Sequence, residues 1–197
     1  MPERIVELDA HPHRCKLRLR VAMALAGEAM RRLMLPDALQ ARKAGEITSL
    51  WLGPDEWLLV SDRITADELA ERSSSVLGSL RHHAVDASAA LGCAALRGAA
   101  ARALLAMGSG VDWSSAGACV RTRFAGIPLV VHRHAEHAFD LYYDRSYRHY
   151  LERWFAHALT DPLISRQSCH DSLSPSRAQT VPESSPPLRP SSQSAPV

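Results

Sequence analysis

A run of imidazoles late in the chain is the feature that most directly suggests chemistry. The sequence HRHAEH contains His132, His134 and His137 together with Glu136. Alternate side chains of a strand share a face, so His132 and His134 would lie together, and a turn would let His137 approach them. Three such nitrogens suit Zn²⁺ or another transition metal. The alternative is a polar hairpin tip, which we favour, and the sequence therefore predicts no metal site.

Other reactive side chains have simpler interpretations. His82 and His83 are neighbours whose side chains would diverge on a strand. Asp86 in VDAS and Asp112 in GVDWS lie where an aspartate commonly caps a backbone N–H. The acid pair Asp55-Glu56 lies in a turn with no partner apparent for acid–base work. The chain contains no GxGxxG or Walker phosphate loop and no GxSxG nucleophile elbow, so we predict no catalytic residue.

These groups must be positioned by an alternation of short strands and helices. A helix is predicted from Val21 to Leu35, before Pro36, and another after the capping box Thr65–Glu68. Further predicted elements are strands at 84–88, 93–97, 120–124, 129–133 and 138–143, and a helix over 99–107. A last helix, capped by Asp144 or Ser146, would bury the stripe Tyr147, Tyr150, Leu151, Trp154, Phe155 and Ala158.

The stretch SLWLGPDEWLLV predicts a hairpin inside a layered structure. Its strands, Ile47–Leu52 and Trp57–Val60, flank GPDE, which has the Pro and Asp of a tight turn. Ile47 and Trp51 would lie on one face, and Leu50 and Leu52 on the other. Because both faces are apolar, we expect both to be covered.

An internal repeat appears at an offset of about 82 residues, where EWLLVSDRITADELAERSSSVL lies over AFDLYYDRSYRHYLERWFAHAL. Each copy reads as a strand, an Asp-Arg pair and a helix. Chance similarity of two strand–helix units is the alternative to duplication. We predict an α+β fold of two similar halves, with mainly antiparallel sheet and helices on the outer faces.

Composition limits the function classes. The 197 residues suffice for one domain, and 23 Lys+Arg against 21 Asp+Glu give a net charge of +2, too small to indicate nucleic-acid binding. No apolar run reaches the length of a membrane span, the four cysteines form no CxxC pair, and the N-terminus lacks the apolar core of a signal peptide. We expect a cytoplasmic protein that binds no membrane.

The domain organisation predicted is an N-terminal extension at 1–14, a folded domain at 15–160 and a tail at 161–197. Ser and Pro dominate the tail, and aromatic residues are absent from it. Such a segment buries too little apolar surface to offset its ordering entropy, so the tail is predicted to be disordered.

Four stretches together resemble one family, the gamma subunit of heterotetrameric sarcosine oxidase. The hairpin LWLGPDEWLLV looks like the signature of that family. Three later stretches follow in the family's order: AVDASAALGCAALRGAAARALLAMGSGVDW, CVRTRFAGIPLVVHR and FDLYYDRSYRHYLERWF. The resemblance covers roughly residues 15–160.

The resemblance implies a fold like the folate-binding domain of the glycine-cleavage T-protein and a non-catalytic, structural role. The whole complex would oxidatively demethylate sarcosine to glycine, form hydrogen peroxide and pass the one-carbon unit to tetrahydrofolate. Its FAD, FMN, NAD, tetrahydrofolate and zinc would lie on the partner alpha, beta and delta subunits, with no cofactor in this chain.

The resemblance also gives the tryptophans of the hairpin a second interpretation. Trp51 and Trp57 are either core residues or aromatic anchors for a larger subunit, since aromatic side chains are enriched at interface hot spots. Two other functions stay open. One is a stand-alone folate-binding protein of the T-protein class, using Asp86 or Asp112 with Arg121 or Arg123. The other is a metal-dependent enzyme using the histidines at 132–137.

Overall fold

Two five-stranded antiparallel sheets form the centre of the structure, a computed structural model that describes residues 5–114, 117–162 and 164. In the first half of this described chain, the elements are β1 (Val6–Leu8), β2 (Cys15–Val21), α1 (Ala26–Leu33), β3 (Ala41–Ala44), β4 (Ile47–Gly53), β5 (Glu56–Ser61) and α2 (Ala66–Leu77). The second half has β6 (His82–Asp86), β7 (Leu91–Arg97), α3 (Ala100–Gly108), β8 (Cys119–Phe124), β9 (Ile127–Ala135), β10 (Ala138–Asp144) and α4 (Arg148–Ala158).

The predicted duplication is confirmed by the strand order. One sheet runs β3-β4-β5-β2-β6, and the other, taken from its matching edge, runs β8-β9-β10-β7-β1. Each half is therefore a strand, a helix, three antiparallel strands and a second helix. The edge strands are exchanged: β1 precedes the first half but pairs with β7, and β6 precedes the second half but pairs with β2. This exchange ties the halves together through backbone hydrogen bonds.

Three apolar clusters divide the molecule into four layers. Leu17, Trp57 and Leu69 belong to the cluster between the first sheet and helices α1 and α2. Leu104, Phe139 and Phe155 belong to its counterpart between the second sheet and helices α3 and α4. The third cluster, with Leu50, Leu58 and Tyr142, fills the space between the sheets. The helices therefore lie on the outer faces, as the α+β prediction states.

The hairpin of β4 and β5 has the predicted two-sided burial. Trp51 and Trp57 are direct cross-strand partners on the helix-facing side, while Leu50 and Leu52 face the other sheet. Pro54 and Asp55 form the tight turn between the strands. Both apolar faces are covered because one packs on helices and the other on a sheet.

Two helix predictions need correction. The helix predicted from Val21 begins only at Ala26, because Val21 is still paired with His82 in the sheet. It ends at Leu33, before Met34 adopts a left-handed conformation with φ 53°. In α4 the buried stripe is narrower than predicted: Leu151, Phe155 and Ala158 are buried, whereas Tyr150 is 47% exposed. The Tyr150 hydroxyl donates to the carbonyl of Ala125 at the helix edge.

Residues 6–8, within the predicted N-terminal extension, form the edge strand β1. The predicted tail at 161–197 lies outside the described residues, apart from 161, 162 and 164. No helix in the described part of the chain is long and apolar enough to cross a membrane.

Candidate functional site

A buried carboxylate lies at the centre of the most polar region between the sheets. Asp140 is on β10, and its direct cross-strand partner on β9 is His132. Alternation along the strands puts His134 and Tyr142 on the same face, and Tyr142 belongs to the cluster between the sheets. Asp140 has 0% exposure. A charge at such a position requires partners, because an uncompensated buried carboxylate is strongly unfavourable.

The opposite sheet supplies the first partner, Arg14. Strands β2 and β5 are paired with Cys15 opposite Ser61, which places Arg14 and Asp62 side by side at the end of that ladder. The guanidinium donates to both oxygens of Asp62, from Nε at 2.8 Å and from Nη2 at 2.9 Å. Its Nη1 donates to Oδ2 of Asp140 at 2.7 Å and to the hydroxyl of Tyr142 at 2.8 Å. One side chain thus connects the two halves of the molecule.

The second sheet supplies the remaining partners of Asp140. Nη2 of Arg97, at the end of β7, donates to Oδ1 at 2.7 Å. Nε2 of His134 lies 2.9 Å from Oδ2. We call this group the Asp140 cluster; its members are Arg14, Asp62, Arg97, His134, Asp140 and Tyr142.

The cluster fixes the charge state of its carboxylates. Burial alone would raise the pKa of Asp140, but the hydrogen bonds from His134, Arg97 and Arg14 outweigh it and hold that pKa well below its usual range. The hydrogen bond from Arg14 likewise lowers the pKa of Asp62. Both groups are therefore ionised at neutral pH and accept several hydrogen bonds. A carboxylate so held is a poor general base, because its proton affinity is far below that of water-activating groups.

His132 beside the cluster is neutral. Burial, followed by the nearby His134 and the two arginines, lowers the pKa of His132 to about 4. The imidazole is 7% exposed, and its Nδ1 lacks a hydrogen-bond partner within the described structure. The rings of His132 and His134 are 4.0 Å apart. His11 also approaches Asp140, with Nε2 3.6 Å from Oδ2, too far for a hydrogen bond.

Two of the three histidines that the metal hypothesis requires, His132 and His134, lie close together. Ligand atoms of His132, His134 and Asp140 lie within 4.8 Å of one another. The predicted third member, His137, lies instead beside Glu136 at 3.9 Å, because the turn into β10 carries it away from the inner face. Two guanidinium groups already bind Asp140, and their charge opposes a divalent cation at this point.

His11, Cys93 and Asp140 form a second group with metal-ligand spacing. Burial raises the pKa of the Cys93 thiol to about 12, so the sulfur is protonated at neutral pH. The arginines that bind Asp140 oppose a cation here as well.

The aspartates singled out in the sequence are caps. Asp86 accepts from the backbone N–H of Ser88 at 2.8 Å, and Asp112 accepts from that of Ser114 at 2.9 Å. His82 contacts the carbonyl of Leu80 through Nδ1 at 2.7 Å.

The suggested arginine partners, Arg121 and Arg123, do not reach the capping aspartates Asp86 and Asp112. Arg121 donates to Glu56 at 3.4 Å, and Arg123 donates to the carbonyl of Gly126 at 2.6 Å. Asp55 accepts from Arg20 at 3.0 Å. The folate-binding pairs of aspartate and arginine suggested by the sequence are therefore not assembled in this chain.

The two tryptophans of the hairpin differ in exposure. Trp57 has 0% exposure and donates its indole N–H to the carbonyl of Pro36 at 3.1 Å. A role as a core residue accounts for both of these features of Trp57. Trp51 is half-buried at the rim of the same face, and its backbone N–H donates to the carbonyl of Gln40. An interface role stays a prediction for Trp51.

The Asp140 cluster was not predicted from the sequence. The signal was present in FDLYYD, where Asp140 interrupts an otherwise apolar strand. Buried acids of this kind are rare unless paired. The arginines that pair with it, Arg14 and Arg97, are distant in sequence, so only the fold identifies them.

The model of the sarcosine oxidase, gamma subunit family matches residues 19–161, which is most of the chain. The chain belongs to this family. A search of curated proteins finds no match.

Two solved structures resemble this gamma-family chain in fold. One is heterotetrameric sarcosine oxidase from Corynebacterium sp. U-96 in complex with pyrrole 2-carboxylate. Its TM-score is 0.67 at 24% identity, with 83% of this chain and 84% of that chain covered. The other is glycine cleavage system aminomethyltransferase T from Bartonella henselae, with a TM-score of 0.59 at 14% identity. That match covers 88% of this chain but only 53% of the aminomethyltransferase. The predicted likeness to the T-protein fold is confirmed.

Proposed function

We propose that this chain is a non-catalytic, structural subunit of a flavin-dependent heterotetrameric sarcosine oxidase. The observation that carries the proposal is the family match over residues 19–161. The complex would demethylate sarcosine oxidatively to glycine, release hydrogen peroxide and transfer the one-carbon unit to tetrahydrofolate. Its alpha, beta and delta subunits would hold FAD, FMN, NAD, tetrahydrofolate and zinc. We place the complex in the cytoplasm, consistent with the free thiols of Cys15, Cys93 and Cys119.

The chemistry of the Asp140 cluster supports the non-catalytic role. The buried carboxylate of Asp140 accepts hydrogen bonds from Arg14, Arg97 and His134. Its oxygens are therefore engaged in an internal network of ion pairs. A general base would need a free lone pair and a pKa near the working pH. The ion pairs of the cluster instead join the two sheets, which is a structural role.

Trp51 and Leu39 are our proposed contact surface for a larger subunit. Leu39 is 47% exposed and has a positive φ of 61°. The carbonyl of Gln40, next to Leu39 in the chain, accepts the backbone N–H of Trp51, so the backbones of the two segments lie side by side. Aromatic anchors in partly desolvated positions contribute disproportionately to assembly.

Affinity purification of the tagged chain from its native host tests the proposal. The chain should elute in a particle several times its own 21.6 kDa mass, with the absorbance bands of flavin. Elution as a colourless single chain would contradict membership of the complex.

A paired substitution tests the contact surface. Trp51→Ala should leave most of the chain's stability intact and weaken assembly by more than about 2 kcal/mol if this residue is a hot spot. Trp51→Phe keeps an aromatic anchor and is the matched control. If assembly is unchanged in Trp51→Ala while the melting curve is also unchanged, the contact surface lies elsewhere.

A further inference from the structure

An apolar cavity lies on the helix-facing side of the first sheet, between that sheet and helices α1 and α2. Its volume is about 180 Å³. Six aliphatic side chains of these elements and of the segment after α1 line it: Leu33, Leu35, Ile47, Leu59, Leu69 and Val76. Val76 is 45% exposed, so the cavity reaches the surface beside α2. It is separate from the Asp140 cluster, which lies between the sheets.

The internal repeat identifies the corresponding place in the second half of the chain. An offset of 82 residues carries the cross-strand pair of Ser49 and Leu59 onto the pair of Val131 and Leu141. The same offset carries the first residue of α2 onto the first residue of α4. Position 73 in the lining of the cavity therefore corresponds to Phe155.

The second half fills this place with aromatic rings. Phe155 is 2% exposed and belongs to the apolar cluster between the second sheet and its helices. Its ring centroid lies 5.6 Å from that of Phe124 and 5.3 Å from that of Trp154. Three aromatic side chains thus pack together beside α4.

The first half has no aromatic ring at the corresponding positions. Ser73 takes the place of Phe155, and its hydroxyl donates to the carbonyl of Leu69 within α2. Arg72 takes the place of Trp154; its side chain is 56% exposed and pairs with Glu68. The edge strand β3 ends at residue 44, before it reaches a counterpart of Phe124. The cavity is therefore space that aromatic rings occupy in the other half.

The size and polarity of the cavity select the kind of molecule that fits. An engineered apolar cavity of about 150 Å³ in another protein stays dry and binds benzene. Among the described residues that line the cavity here, only Arg72 is charged, and Glu68 already pairs with it at the surface. A charged ligand would lose its water without gaining a counter-charge, so an uncharged ring is favoured.

We propose that this cavity binds a small molecule through one uncharged, apolar ring about the size of benzene. The ring takes the position that corresponds to the Phe155 ring of the second half, and it contacts the aliphatic side chains of the lining. Val76 lies at the mouth, where a polar group on the ring can stay in water. The proposal does not depend on the subunit role, because every residue in it belongs to this chain.

Calorimetric titration of the full-length chain with phenol tests the proposal. Phenol should bind saturably with a dissociation constant of about 1 mM or lower. Benzoate, which adds a negative charge to the same ring, should bind at least about tenfold more weakly. Ser73→Phe gives the first half the side chain that Phe155 provides in the second, so it should fill the cavity and abolish saturable binding of phenol.

The matched control is Ser73→Ala, which removes the same hydroxyl without filling the cavity and should bind phenol at least as tightly as the wild type. Ser73→Leu adds a smaller side chain, for the case that Ser73→Phe does not fold, and should weaken binding at least about tenfold. The proposal is overturned if phenol does not saturate by about 10 mM, or if a folded filling variant binds like Ser73→Ala. A native assembly that does not bind phenol, although the chain alone does, would also overturn it, because a side chain of another subunit would then fill the cavity.

Discussion

The substitution Asp140→Asn probes the interaction that joins the two sheets. The amide has nearly the shape of the carboxylate but no charge, so Arg14 and Arg97 both lose a counter-charge. Removing one partner of a buried ion pair typically costs about 3–5 kcal/mol. Arg14 keeps its two hydrogen bonds to Asp62, so we expect the lower end, about 3 kcal/mol. Domains have about 5–15 kcal/mol in total, so the variant should fold with clearly reduced stability.

Urea denaturation followed by far-ultraviolet circular dichroism measures this loss at neutral pH. The midpoint should fall while the slope stays constant, since the same surface is exposed on unfolding. Glu152→Gln is the control: it neutralises an acid in an exposed pair with Arg148, 3.7 Å away. Exposed pairs contribute less than about 1 kcal/mol, so its midpoint should barely move.

Two further results decide whether the charge argument is right. Adding Arg97→Met to Asp140→Asn should recover part of the stability, because an unpaired guanidinium is removed with it. The pKa of Asp140 is depressed in the fold, so its contribution is present above the ordinary value of 3.8 and is lost as pH falls below it. An Asp140→Asn variant within about 0.5 kcal/mol of wild type would refute the reasoning.

Three other substitutions test separate parts of the structure. Trp57→Ala should destabilise the isolated chain by about 3–5 kcal/mol in urea, because the side chain is fully buried; a near-normal midpoint would remove Trp57 from the core. The pKa of His132 is lowered to about 4, so wild-type stability should fall by about 2–3 kcal/mol as pH drops from 6.5 towards 4. His132→Asn should reduce this loss of stability at acidic pH. An unchanged dependence of stability on pH would argue against a neutral, buried imidazole. Gly92→Ala should cost about 1–3 kcal/mol, because a Cβ there would lie 2.6 Å from the ring of Tyr143. Gly27→Ala, with open space around it, should instead be neutral or gain up to about 1 kcal/mol, and equal losses in both would contradict the packing argument.

Local pattern was sufficient to predict the layered hairpin and the repeat. Leu50, Trp51 and Leu52 are consecutive apolar residues before the turn GPDE, so both faces of the strand are apolar and both have to be covered. The repeat at 82 residues carries the strand–helix order of each half. Both patterns depend on short-range chemistry, which a sequence displays directly.

The exchange of edge strands and the Asp140 cluster depend on long-range pairing. Nothing in VEL at residues 6–8 indicates that this segment pairs with β7 rather than with the adjacent β2. Arg14 and Asp140 are separated by 126 positions and meet only because two sheets stack. The helix predicted from Val21 was wrong for the same reason, since pairing with His82 outweighs local helix propensity.

Native mass spectrometry of the tagged chain, purified from its own host under gentle conditions, tests the central claim most directly. Our account predicts one copy of this chain together with three different larger or smaller subunits and bound flavin. It also predicts that the assembly forms hydrogen peroxide when sarcosine is added. A chain found alone, or in an assembly that carries no flavin and does not oxidise sarcosine, would contradict it.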